Sequence, residues 1–198
     1  MTRLLTALLL LLAMGGVAHA QDPWVLVDTE YQEIRVFAGG EELLHLPRIA
    51  LGRGGVSTIR QRGDKSTPLG EFRVAWINED SRFHLFFGLD FPNFRHAQAA
   101  YNSGVMQLDE FLEVTDALRA RRLPPQRTAV GGHIGIHGVG DGDVDLHARA
   151  NWTNGCVAIT DEEMDKLAEY IEVGTRVVIA GPRERTAMAE EGMLPMSP

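Results

Sequence analysis

The chain carries one thiol, Cys156, in the run Thr153-Asn154-Gly155-Cys156, nineteen residues beyond His137 of Ile136-His137-Gly138. Three of its seven histidines, His133, His137 and His147, fall in the same stretch, His133 to Thr160. A thiol attacks only as thiolate, and a neighbouring imidazole is the usual proton acceptor at neutral pH. All three histidines are candidates for that role. Alternation along an extended segment places His133 and His137 on one face. Gly138 after His137 lets the chain open into a loop, and a free backbone carbonyl there can accept from Nδ1 and fix the tautomer that faces sulfur. Gly155 permits an unusual φ/ψ or a close backbone approach. That suits an oxyanion hole made by N–H groups around Gly155 and Cys156, where negative charge develops as a thiolate attacks a carbonyl. The chemistry these residues suit is acyl transfer through a thioester.

The compartment sharpens the meaning of a lone thiol. Residues 1–20, MTRLLTALLLLLAMGGVAHA, combine a positive charge at Arg3, an apolar run from Leu4 to Met14 and a small-residue end at Ala20. This is the pattern of a cleaved export signal, too short for a comfortable span of about 20 apolar residues and not followed by a lipid-accepting cysteine. Exported proteins that use cysteine structurally carry it in pairs, so one thiol is either a small buried hydrophobe or a reactive group. The formal charge of −8 becomes one unit more negative without Arg3. Such an acidic chain has no general attraction for nucleic acid or anionic lipid.

The elements that must position these groups form one unit over residues 21–180. Short strands, WVLVD, EIRVFA and ELLHLPRIAL, open it as a meander, with Gly39-Gly40 as a hairpin turn. A glycine-bearing loop over residues 52–63 leads into KSTPLGEFRVAW, which turns at Thr67-Pro68 and Gly70 into a strand, and FHLFFGLDF follows as another. Leu108, Phe111, Leu112 and Leu118 fall at helical spacing before Pro124-Pro125, predicting a helix over residues 107–122 with that apolar face. GGHIGIHG reads as a glycine-punctuated strand, VAIT as the strand after the cysteine, and DEEMDKLAEYIEV as a helix begun by a Thr160/Glu163 capping box and ended by Gly174. TRVVIA is a last strand, and residues 181–198 show no period and read as a mobile tail. Strands and helices without a βαβ rhythm predict an α+β fold that is mainly β, a sandwich or barrel-like sheet decorated by a few helices.

The order IHG, loop, TNGCVAI resembles the L,D-transpeptidase family, whose YkuD-type catalytic domain has a His-Gly followed by Ser/Thr-x-Gly-Cys. KSTPLGEF is similar to that family's Thr-Pro-x-Gly-x-Phe strand entry, and the opening meander is similar as well. The resemblance runs from about Trp24 to Ala180, interrupted by an insertion-like segment over residues 77–126. It implies a periplasmic enzyme that needs no cofactor and acts on peptidoglycan stem peptides as donor and acceptor. In that family the cysteine attacks the carbonyl at the L-centre of diaminopimelate, expels D-Ala and passes the acyl group to an amine of another stem. Carried over, Cys156 is the nucleophile, His137 the base and then acid, and Gly138 the orienting carbonyl. Gly155 and Cys156 supply the oxyanion hole, and His133, Trp152, Thr153 and Asn154 line the substrate groove. The same thioester resolved by water would give an L,D-carboxypeptidase or endopeptidase, trimming stems or releasing an attached cell-envelope protein. A non-catalytic peptidoglycan-binding module is the remaining alternative. Oligomeric state is not legible.

Two departures stand out. Many members carry arginine two residues after the cysteine, where this chain has Ala158, leaving Arg60, Arg95 and Arg149 as substitutes; Asn154 replaces a frequent His or Lys. The run Asp141–Asp145 lacks the glycine and closing glutamate of a calcium loop and reads as a solvated turn. His133 and His137 have zinc-compatible spacing but no accompanying metalloprotease glutamate, so no metal is expected.

Overall fold

The computed structural model describes residues 22–194. The expected export signal lies outside them, as do the last four residues. Strands β1 (Trp24–Asp28), β2 (Glu33–Ala38) and β3 (Glu41–Pro47) form the expected antiparallel meander. Gly39 and Gly40 make its turn with φ of 59° and 85°, the positive pair that a tight hairpin between right-twisted strands requires.

The chain then lays down a small parallel pair, β4 (Val56–Ser57) and β5 (Thr67–Pro68), and the long strand β6 (Gly70–Ser81) with β7 (His84–Leu89). Two helices follow, α1 (Phe94–Asn102) and α2 (Leu108–Arg119), and then β8 (Gly135–His137), α3 (Val144–His147), β9 (Val157–Ala158), α4 (Asp161–Ala168), β10 (Arg176–Ala180) and α5 (Pro182–Glu190). Eight strands join in one mixed sheet of order β3-β2-β1-β10-β6-β7-β8-β9. Its two edges meet, because Ala50, just past β3, exchanges two backbone hydrogen bonds of 2.8 Å with Ala158 in β9. The sheet is therefore barrel-like, as expected.

Val25, Val27, Ile34, Val36, Val177 and Ile179 point into the main core. The opposite face of β1 and β10 buries Leu26, Val178 and Ala180 with Phe37 and Met188. Met188 belongs to α5, so an ordered helix stands where an aperiodic tail was read. Met188 is the only buried side chain of α5, which is why its sequence shows no period. The helix is held by Pro182 near its start, by the Gly181 N–H donating to the Glu184 carboxylate at 3.1 Å, and by an Arg185–Asp28 ion pair of 2.9 Å.

Helix α2 also differs from its expected face. Leu108 and Leu112 are exposed, and the stripe toward the core runs through Phe111, Val114, Thr115 and Leu118. The cause is α1, whose Phe94 and Tyr101 rings pack on Phe111 and rotate the buried stripe toward it. Asp143 does not sit in a simple solvated turn either, since its carboxylate caps α3 by accepting the Leu146 N–H at 2.9 Å. Among the described residues, no helix is long and apolar enough to cross a membrane.

Candidate active site

β8 ends on His137 and runs parallel to β9, which begins at the residue after Cys156. Ile136 pairs with Val157 and His137 with Ala158, and the Ile159 N–H donates to His137 O at 3.0 Å. Parallel neighbours need a crossover connection, and the intervening segment with α3 supplies it. Thiol and imidazole thus line one cavity of about 630 Å³. A cavity of similar size beside Trp24 and Arg176 contains neither group.

His137 is 2% exposed. Its Nδ1 lies 2.7 Å from Gly138 O. A carbonyl can only accept, so Nδ1 carries the proton and Nε2 is left as a base. The ring stacks on Phe83 at 4.3 Å and Phe86 at 5.9 Å, and Trp152 meets it edge-on at 5.7 Å. Burial in this cage drives its pKa down to about 4 despite the Gly138 hydrogen bond, with the charges of His147 and Arg82 acting in the same direction. Cys156 is half-buried and lines the cavity. Its S–H donates to His133 O at 3.4 Å. Burial pushes the thiol up to about 11, while the Gly135 N–H and the Arg60 charge pull the other way. Burial thus favours the neutral form of both the thiol and the imidazole.

The loop before the cysteine is built around Thr153. Its hydroxyl donates to Cys156 O at 2.7 Å and accepts the Gly155 N–H at 3.1 Å. Thr153 is 3% exposed, so its visible work is to shape the turn. The bond to Thr153 also competes with the expected use of the Gly155 N–H toward an oxyanion. Gly155 itself is required: at φ +127°, an added Cβ would lie 2.6 Å from Ser66 O and 2.8 Å from Arg60 Nη1. Asn154 is exposed on the rim and accepts from Arg53 Nη2 at 2.8 Å.

His133 does not share a strand face with His137. Its φ is +53°, β8 starts only at Gly135, and the exposed imidazole sits at the cavity rim. Its contribution to the sulfur is a backbone carbonyl, and its N–H is held by Gln126 Oε1 at 2.7 Å. Trp152 lines the same cavity and is steadied by donating Nε1–H to His147 Nδ1 at 3.2 Å. Of the three arginines considered for the missing charge, Arg60 alone approaches the cysteine loop. Arg95 is exposed on α1, and Arg149 donates to Asp145 O at 2.9 Å.

Sequence reasoning missed Phe83, Phe86 and Trp76, which form the aromatic wall. A local signal existed in Gly88 and Gly135, which face each other across β7 and β8. A Cβ at Gly88 would enter the Trp76 ring and one at Gly135 would lie 2.6 Å from the Phe86 ring. Glycines opposite each other in a strand pair mark a place where something lies close against the backbone.

A family model described as the L,D-transpeptidase catalytic domain matches residues 22–179. Among solved structures, the chain is similar in fold to the helical cell shape determining protein Pgp2 of Campylobacter jejuni. The TM-score is 0.55 at 18% identity, covering 82% of this chain and 49% of that one. It is similar also to Bd1075 of Bdellovibrio bacteriovorus, with a TM-score of 0.52 at 17% identity, covering 87% and 54%. The chain thus spans about half the length of these two proteins. A comparison with curated proteins finds no match.

Proposed function

The chain belongs to the L,D-transpeptidase catalytic-domain family, and from that premise we propose that it is a peptidoglycan L,D-transpeptidase working through a thioester on Cys156. The sulfur attacks the stem carbonyl at the L-centre of diaminopimelate as its proton passes to His137 Nε2. The Cys156 N–H holds the developing oxyanion. Collapse breaks the amide bond, and the departing D-Ala amine takes the proton from His137. An amine of a second stem then attacks the thioester, returns a proton through His137 to the sulfur and completes the cross-link. Gly138 O keeps Nδ1–H in place throughout, so that Nε2 accepts and donates in turn.

The observation that carries this reading is the His137 Nδ1 to Gly138 O hydrogen bond of 2.7 Å on a ring sharing one cavity with the only thiol. The aromatic wall supports it, because excluding water around His137 favours an amine over water as acceptor. Export to the periplasm belongs to the same proposal, since the substrate lies there.

Incubation of residues 21–198 with purified muropeptides tests the reaction. Dimeric muropeptides from the wild type, absent with Cys156→Ala, are the expected result. Tripeptide monomers alone would assign hydrolysis instead, and no turnover together with no carbapenem adduct on Cys156 would leave a binding module.

A further inference from the structure

His147 closes α3 and is buried, 8% exposed. It is linked to His137 through Trp152, which meets both imidazoles edge-on, His137 at 5.7 Å and His147 at 6.5 Å. Trp152 Nε1 lies 3.2 Å from His147 Nδ1. An indole N–H can only donate, so Nδ1 offers a lone pair and the neutral imidazole carries its proton on Nε2. That Nε2 is buried and has no hydrogen-bond partner among the described residues. A buried N–H left unpaired lowers stability. What the side chain supplies is therefore the bond to Trp152 rather than a fully satisfied core.

The backbone on either side of Trp152 is pinned. Asn151 Oδ1 accepts the Leu51 N–H at 2.8 Å, and the Thr153 N–H donates to Leu51 O at 3.2 Å. This fixes where the indole starts, and its partners fix where it points. Toward the cavity these are rings, Phe83 at 6.2 Å and His137, whose contacts are weakly directional. The hydrogen bond to His147 adds the direction. It lasts only while the imidazole is neutral, because a protonated Nδ1 would set donor against donor. Burial keeps His147 neutral, with the charge of Arg48 acting the same way and those of Glu163 and Asp161 of α4 opposing. His137 of β8 is close enough that positive charge on the two rings would repel.

We propose that His147 is a positioning residue, whose Nδ1 holds the Trp152 indole edge-on against His137 and so keeps the His137 ring walled on the side of the cysteine loop. Its effect on turnover rests on the acyl-transfer reading above, whereas its effect on the two rings does not.

Two variants test this, after circular dichroism shows an unchanged fold. His147→Leu removes the acceptor at similar bulk, and His147→Asn keeps one close to the place of Nδ1. The three tryptophans each give an indole N–H signal in a proton–nitrogen NMR spectrum, with Trp152 assigned by Trp152→Phe and the His137 ring by His137→Gln. In His147→Leu the Trp152 and His137 signals should move while that of Trp24 stays, and muropeptide turnover should fall by about tenfold or more. His147→Asn should regain most of both. A Trp152 signal unmoved in His147→Leu, or one that moves without His137, overturns the positioning role. Equal losses in the two variants overturn it as well, since packing alone would then account for His147. Should His147→Leu fail to fold, Trp152→Phe takes its place, and an unmoved His137 ring there overturns the role. A wild type that yields no muropeptide product overturns the peptidoglycan reading alone, and the spectra still decide the positioning.

Discussion

The two ends of the sheet are built from different materials. At one end β1, β2 and β10 are five or six residues long, pair in unbroken register through β1 and bury valine and isoleucine completely. At the other, β8 and β9 have three and two residues, and glycines face each other where aromatic rings press on the backbone. The first end is held by ladder hydrogen bonds and aliphatic burial, of order 1.5–3 kcal/mol for each fully buried side chain. The second is held by rings and loop hydrogen bonds, which leave room for a cavity. Cys156 and His137 share the cavity at the second end, where ordinary sheet would have filled that space.

The largest expected effect separates the two histidines of the second end. His137→Ala should lower turnover by at least roughly 10²–10⁴-fold, the range for loss of a general acid-base group, with the fold retained by circular dichroism. His133→Ala should cost less than about tenfold, because the contact to sulfur is a backbone carbonyl that the variant keeps. Equal losses in muropeptide turnover would show that the rim imidazole takes part in the proton transfer.

Gly155→Ala comes next. Its positive φ and the contacts at Ser66 O and Arg60 Nη1 make relaxation difficult. The expected loss is about 3 kcal/mol or more in denaturant unfolding, along with turnover, since the displaced loop carries the thiol. A variant of unchanged stability would mean the cysteine loop is softer than its hydrogen bonds through Thr153 indicate.

How much of this was legible depended on range. The meander, the Gly39-Gly40 turn and the Thr160/Glu163 capping box rest on neighbours within a few residues, and all are present; Thr160 Oγ1 accepts the Glu163 N–H at 3.3 Å. The motif itself was legible because its glycines and its one thiol are local. The α1 helix was not, since its buried positions are His96, Ala97 and Ala100, too weak an apolar signal to compete. The cage of Phe83, Phe86 and Trp152 joins the β6–β7 hairpin to the loop before Cys156, and no periodicity announces such a meeting. The shared face expected for His133 and His137 failed because Gly131 and His133 take positive φ, which breaks the alternation on which the inference stood.

The burial of His137 makes stability depend on acid. Its folded pKa of about 4 lies below the ordinary 6.5, so between these values the unfolded chain binds a proton that the folded chain does not. Stability from this group is intact above about pH 6.5 and falls as the pH drops toward 4, by up to about 3 kcal/mol. His96 and His147, both lowered mainly by burial, act in the same direction. Urea unfolding at pH 7, 5 and 4 should therefore show a shallower acid loss in His137→Gln than in the wild type. Parallel curves would mean the ring gains solvent on protonation and the aromatic cage opens.

The smallest effect tests the other end. Gly39 also has a positive φ, 59°, but an added Cβ there would meet nothing within 4 Å. Gly39→Ala should then cost only the left-handed backbone penalty of about 1 kcal/mol, lowering the Tm by roughly 2–4 °C for a domain of this size. Turnover should be unchanged, because the hairpin joins β2 to β3 at the sheet edge and none of its residues lines the cavity that holds Cys156 and His137. If Gly39→Ala instead reduced turnover as Gly155→Ala does, the meander and the cysteine loop would be coupled through the Ala50–Ala158 junction, and the two ends of the sheet would have to be treated as one mechanical unit.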